Sequence, residues 1–203
     1  MEPPLLTSQG FAVADLWVPP FEVRRGDCLE LRFPMYGDEA GVAESLAGLR
    51  GPLEGLHRTA VCRYVRPARD SRGLLARWLT PSPTALDWLR PFTQSGDQAS
   101  ALLRNFDVDP TWRLNQMACN PRTLLGLAAV WSADVDVVIL SLAGCDPVGR
   151  QRVSRLIMSR VERWAAIELT QPFLHMGQQW PGQATLPAAR LAEVQRRRPV
   201  LVA

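Results

Sequence analysis

Asp136-Val137-Val138-Ile139-Leu140 is the stretch on which the fold turns, and behind it come Ser141-Leu142 and the loop Cys145-Asp146-Pro147-Val148-Gly149-Arg150. The run is β-branched with no polar alternation, as in a central parallel strand buried on both faces. Downstream, residues 149–165 read as an amphipathic helix with Val153, Ile157, Val161 and Trp164 at helical intervals, followed by a short strand over 166–169. Residues 186–198 read as one last helix. Upstream, 122–131 is an apolar helix and 98–106 a short one ended by Asp107-Val108-Asp109-Pro110. Residues 84–92 form a helix behind an N-cap threonine, Thr84. Before these lie a strand over 59–65, a helix over 42–49 after a 37–41 loop, and a strand over 28–33 after an Arg24–Asp27 turn. Edge-strand material flanks Pro19-Pro20. Strands alternating with helices specify an α/β domain with a parallel sheet and crossovers. The helices between 80 and 131 interrupt that order as an insert.

Composition narrows the function. Of 203 residues 47% are hydrophobic and 21% charged, a mix that builds a core and excludes a disordered chain. A net charge of +3, with basic residues scattered apart from Arg196-Arg197-Arg198, gives no nucleic-acid surface. Met1-Glu2-Pro3-Pro4 lacks the basic-then-apolar pattern of a secretory leader, and residues 124–145 are broken by Ser132, Asp134 and Asp136, so no spanning segment is expected. A cytoplasmic location follows as an expectation. Cys28, Cys62, Cys119 and Cys145 are widely spaced and read as reduced thiols. His57 and His175 have no metal-ligand neighbours at useful spacing, so no metal site is expected. Among the seven tryptophans, Trp88, Trp131 and Trp164 read as core, whereas Trp17, Trp78, Trp112 and Trp180 lie near loops or edges, as packing or as interface anchors. No G-x-S-x-G elbow surrounds Ser141 and no G-x-G-x-x-G occurs.

Taken in order, four stretches resemble the ATP-binding subunit of ABC transporters, over about residues 21–171. Glu22-Val23-Arg24-Arg25-Gly26-Asp27-Cys28-Leu29-Glu30-Leu31-Arg32-Phe33-Pro34 is similar to that family's strand leading into the phosphate-binding loop, and Ser45-Leu46-Ala47-Gly48 to the end of the following helix. Thr84-Ala85-Leu86-Asp87-Trp88-Leu89 is similar to its "TVxExL" helix. Residues 117–131 occupy the place of the signature loop and its helix. Residues 136–140 with Cys145-Asp146-Pro147-Val148-Gly149-Arg150 are similar to the second ATP motif and the "GLDPxGR" loop, and 166–171 to the last strand and switch residue. The resemblance implies a P-loop-NTPase-like parallel-sheet core with a small helical subdomain: one ABC-ATPase-like domain over 1–203 carrying a helical insert over 80–131.

The same alignment implies a site without its usual chemistry. Laid over G-x-x-x-x-G-K-[ST], residues 33–40 put Phe33 and Asp38 at the required glycines, with Gly37 before Asp38, Glu39 at the lysine and Ala40 at the magnesium hydroxyl. Ser141 and Leu142 stand where the magnesium aspartate and catalytic glutamate are expected, and Gln171 at the switch histidine. Asp146 keeps its place in the loop. Met117-Ala118-Cys119-Asn120, or in another register Leu114-Asn115-Gln116-Met117, replaces the signature loop without a glycine. The expectation is a catalytically silent subunit with no cofactor. It would dock to an ABC-type membrane subunit or a competent ATPase relative, as a homo- or hetero-dimer, without inserting into a membrane or binding nucleic acid. The alternative is a divergent but active transporter ATPase working with a partner.

Overall fold

The computed structural model describes residues 3–14, 16–33, 38–170, 190–191 and 193–197. Its elements in chain order are β1 (Leu6–Ser8), β2 (Phe11–Val13), β3 (Leu16–Val18), β4 (Phe21–Val23), β5 (Cys28–Arg32), α1 (Glu39–Leu46), β6 (Leu56–Arg58), β7 (Cys62–Val65), α2 (Leu74–Leu79), α3 (Ala85–Leu89), α4 (Gly96–Asn105), α5 (Cys119–Trp131), β8 (Val137–Ser141), α6 (Pro147–Met158), β9 (Ala165–Thr170), β10 (Arg190–Leu191) and β11 (Glu193–Arg197). The chain divides into two compact units, one of residues 1–64, 136–143 and 156–203, the other of 65–135 and 144–155.

The first unit is built on a five-stranded sheet in the order β11-β5-β9-β8-β7. The neighbours β5, β9 and β8 run parallel, with Leu29 opposite Ile167 and Ile139 opposite the same residue. The apolar run that decides the fold is central, and Val137, Val138, Ile139 and Leu140 are each fully buried. Alternation sorts the faces. Leu29, Leu31, Val137, Ile139, Ala165, Ile167 and Leu169 share one core cluster with Phe33 and with Val42, Ala43 and Leu46 of α1. Two small sheets complete the unit: β4-β1-β6, antiparallel throughout, and β10-β3-β2. Their short strands alternate buried and exposed residues, so that Phe11, Val13, Leu16 and Val18 enter the same core.

The second unit is helical. Thr84 caps α3 with a reciprocal capping box: its hydroxyl accepts from the Asp87 amide while the Asp87 side chain accepts from the Thr84 amide. Ser95 caps α4 through the Gln98 amide. Phe106 packs edge-on against Trp131 with ring centroids 5.1 Å apart. On α5, residues Thr123, Leu124, Leu125, Gly126, Leu127 and Ala128 are all buried.

Three sequence expectations are corrected. Residues 190–191 and 193–197 are strands, not part of a terminal helix, because β11 satisfies the open edge of β5 antiparallel, with Val194 opposite Leu31. The helix expected over 149–165 stops at Met158. Trp164 is buried and sits just ahead of β9, where its indole N–H donates to the Ile157 carbonyl at 3.4 Å; its helical spacing is coincidental. The α1 helix also begins earlier than its apolar residues suggest, at Glu39, because Asp38 caps it. Trp17, Trp78 and Trp112 are exposed; Trp180, His175 and the start of the expected terminal helix lie outside the described residues.

Candidate functional site

The segment between β5 and α1 is the place to build from. Phe33 immediately follows β5 and is 1% exposed, its amide donating to the Thr170 carbonyl at 2.9 Å. Gly37 lies outside the described residues, as does Gln171. Asp38 accepts at Oδ1 from the Gly41 amide at 2.8 Å, which places a carboxylate of the chain itself on the first free amides of α1. A Cβ on Gly41 would lie 2.0 Å from Asp38 Oδ2, so the carboxylate folds flat over the first turn. Arg50 reaches both Asp38 (3.4 Å) and Glu44 (3.0 Å), and hydrogen bonding to Glu44 raises its pKa above the ordinary arginine value.

Glu39, the first residue of α1, is only 6% exposed. Its Oε2 accepts from the Ser141 hydroxyl at 2.7 Å, and Ser141 Oγ accepts from the Ala143 amide at 3.2 Å. The structure therefore joins two residues that the sequence placed at separate catalytic positions. Ala40 is exposed on the first turn, and Leu142 is 2% exposed, its amide donating to Leu169. A helix N-terminus ordinarily offers free amides and a positive dipole to an anion. Here the carboxylates of Asp38 and Glu39 already stand at it. Ser141→Ala should cost about 1–2 kcal/mol, because the buried Glu39 oxygen loses its donor; a denaturant melt unchanged from wild type would contradict this.

The sheet face away from α1 holds a polar cluster that the sequence did not signal. Glu30 and Glu168 are neighbours across β5 and β9, 5% and 1% exposed. Glu30 accepts from the Thr170 hydroxyl at 2.8 Å and pairs with Arg32 at 3.4 Å. Alternation on two strands distant in sequence brings these groups together, and neither strand alone reveals it.

In the second unit, Asp146 and Asn120 are doubly joined: Asn120 Nδ2 donates to Asp146 Oδ2 at 2.7 Å, and the Asp146 amide donates to Asn120 Oδ1 at 3.2 Å. Asp146 Oδ1 also accepts from the Gly149 amide at 2.7 Å, and that bond, then the Asn120 amide, holds its pKa below the ordinary carboxylate value. Asn120 thus spends both ends of its amide on the 145–150 loop. Cys119 is partly buried, while Cys145 donates to Thr123 Oγ1 at 3.4 Å and has its pKa raised by burial. Burial raises Cys62 to about 11, and all four cysteines are free thiols. Among the described residues no group of three or more His, Cys, Asp or Glu is placed to hold a metal ion, and no helix is long and apolar enough to cross a membrane.

No family model and no curated protein matches the sequence. Solved structures match the fold. A chain of a metal-chelate-type ABC transporter in an inward-facing conformation superposes with a TM-score of 0.64 at 12% identity, covering 82% of this chain and 73% of that one. An RNase-L inhibitor gives a TM-score of 0.63 at 18% identity over 95% of this chain, which spans only 39% of that protein. The cbiO1 protein of Clostridium perfringens, part of the ABC transporter complex cbiONQ, gives 0.54 at 13% identity, covering 84% and 80%. The protein has the fold of the ABC ATPases, an α/β P-loop-NTPase architecture.

Proposed function

We propose that this chain is an ABC-ATPase-like subunit that works by holding a protein partner, without turning over ATP. Its partner would be an ABC-type membrane subunit or a competent ATPase relative, with the complex at the cytoplasmic face of a membrane. On the same reading the chain is one ABC-ATPase-like domain, and its helices between residues 80 and 131 are the helical insert.

The observation that carries the reading is the filled N-terminus of α1. Asp38 caps it and Glu39, the first residue of the helix, is buried on Ser141, so two acidic residues occupy the helix start and one of its amides is already taken. Two like charges ~4 Å apart repel by about 4 kcal/mol at an effective dielectric near 20. A triphosphate would meet that repulsion where a working loop supplies a lysine and glycine amides. Phe33, at the place of the first glycine in the phosphate-loop alignment, is part of the core and carries a Cβ where such a loop uses glycine.

Crosslinking and pull-down of the intact protein from its native source tests the partner. Recovery of an ABC-type membrane subunit or an intact ATPase is expected. Recovery of the chain alone, with ATPase activity that follows it through purification, overturns the proposal.

A further inference from the structure

The helix α2 is inverted. None of its residues is buried, and Leu74, Leu75, Trp78 and Leu79 are 82%, 79%, 90% and 76% exposed. At 100° per residue these four fall on one stripe about 140° wide. The apolar side of an amphipathic turn therefore faces outward, and large apolar groups clustered in this way mark a contact surface.

Beside it is a cleft of about 370 Å³ with four arginines, Arg69, Arg72, Arg77 and Arg122, and one acid, Asp70, in its lining. Their formal sum is +3 (four positive charges less one negative). Asp70 is consumed by Arg72, which donates to it from Nε at 2.9 Å and Nη2 at 2.8 Å; that bonding holds Asp70 well below the usual carboxylate range. Arg72 spends Nη1 on Thr80 and on the Pro81 carbonyl. Arg77, which α2 contributes, donates to the Asp70 carbonyl. The uncommitted donors are elsewhere. The Arg69 guanidinium has no partner among the described residues, and Arg122 Nε is buried without one. A cleft with surplus guanidinium donors and positive charge suits an oxyanion, above all phosphate.

We propose that α2 and this cleft form a peripheral membrane-surface site: the arginines take the phosphate of an anionic phospholipid headgroup, and Leu74, Leu75, Trp78 and Leu79 enter the interfacial layer. Two features select lipid over a free anion or a protein. A soluble phosphate would fill the cleft and leave the apolar stripe in water, and the stripe stands out from the unit with no residue buried, as an interfacial anchor does. Arg63, Arg66, Arg69, Arg72 and Arg77 against Asp70 also give residues 63–79 a formal charge of +4, complementary to an anionic leaflet. The inference does not depend on the state of the nucleotide site.

Vesicle flotation of the full chain without nucleotide tests it. Wild type is expected to float with phosphatidylcholine vesicles containing phosphatidylglycerol, to stay behind with phosphatidylcholine alone, and to be released by salt. The double variant Leu75→Ser/Trp78→Ser and the single variant Arg69→Glu should each lose about tenfold or more in partitioning. Their melting temperatures should match wild type, because the stripe is exposed and the Arg69 side chain has no partner among the described residues; its carbonyl, which accepts from the Trp88 indole at 3.2 Å, is untouched by the substitution. Equal flotation with both vesicles, variants that bind like wild type, tight binding of inorganic phosphate with no vesicle binding, or α2-dependent capture of a protein with no vesicle binding would each overturn the proposal.

Discussion

Phe33→Ala should destabilise the protein by about 3–5 kcal/mol, the range for deleting a fully buried aromatic ring. For a chain of this size that is a fall of roughly 6–20 °C in Tm. Phe33 is 1% exposed and shares a core cluster with Val42, Ala43 and Leu46 of α1 and Leu31 of β5. Its backbone is also tied to β9 through the Thr170 carbonyl. At this position the resemblance to ABC ATPases calls for a glycine that lets the backbone wrap phosphate. The ring instead packs with α1 and the sheet, so a smaller residue here removes an anchor of the core. Thermal melts followed by near-ultraviolet circular dichroism read the effect. A variant melting within a degree or so of wild type would mean that the ring is not part of the core.

Gly126→Ala should also destabilise, by about 2–3 kcal/mol, and here the sign is the informative part. Alanine in the middle of a helix is ordinarily better than glycine by up to about 1 kcal/mol. In α5, however, a Cβ at this position would sit 2.0 Å from the Arg66 carbonyl oxygen and 2.9 Å from its carbon. The obstacle is backbone, which cannot rotate away as a side chain would, and the same segment is fastened to α5 by the Ala68 amide on the Arg122 carbonyl at 2.9 Å. Forced overpacking of this kind costs ~1–3 kcal/mol. A lower denaturation midpoint for Gly126→Ala, and a lower one still for Gly126→Val, is expected; a rise on going to alanine would contradict the close approach.

The parts of the fold that were legible in the sequence are those fixed by local pattern. The β-branched apolar run over 137–140 read as a central strand, and Thr84 read as the N-cap of a helix that the structure keeps. The failures lie where a distant partner decides. The segment over 193–197 has helix-forming residues, yet it pairs with β5, and nothing near it in sequence announces that edge. Trp164 matched a helical period that the chain abandons at Met158. At the candidate site the sequence singled out Glu39 and Ser141 separately, and their mutual hydrogen bond was not legible, since α1 and β8 meet only through the fold. The arginine cleft escaped for the same reason: Arg69, Arg72 and Arg77 belong to one loop and helix, Arg122 to another helix, and their spacing has no period to notice.

The central claim is that acidic side chains at the start of α1 exclude triphosphate, so that the protein acts through its surfaces. Titration of the purified chain with Mg-ATP by isothermal calorimetry, alongside a fluorescent ATP analogue, addresses it directly. The account predicts no saturable binding below millimolar nucleotide and no hydrolysis above the blank. Micromolar binding accompanied by turnover would contradict it.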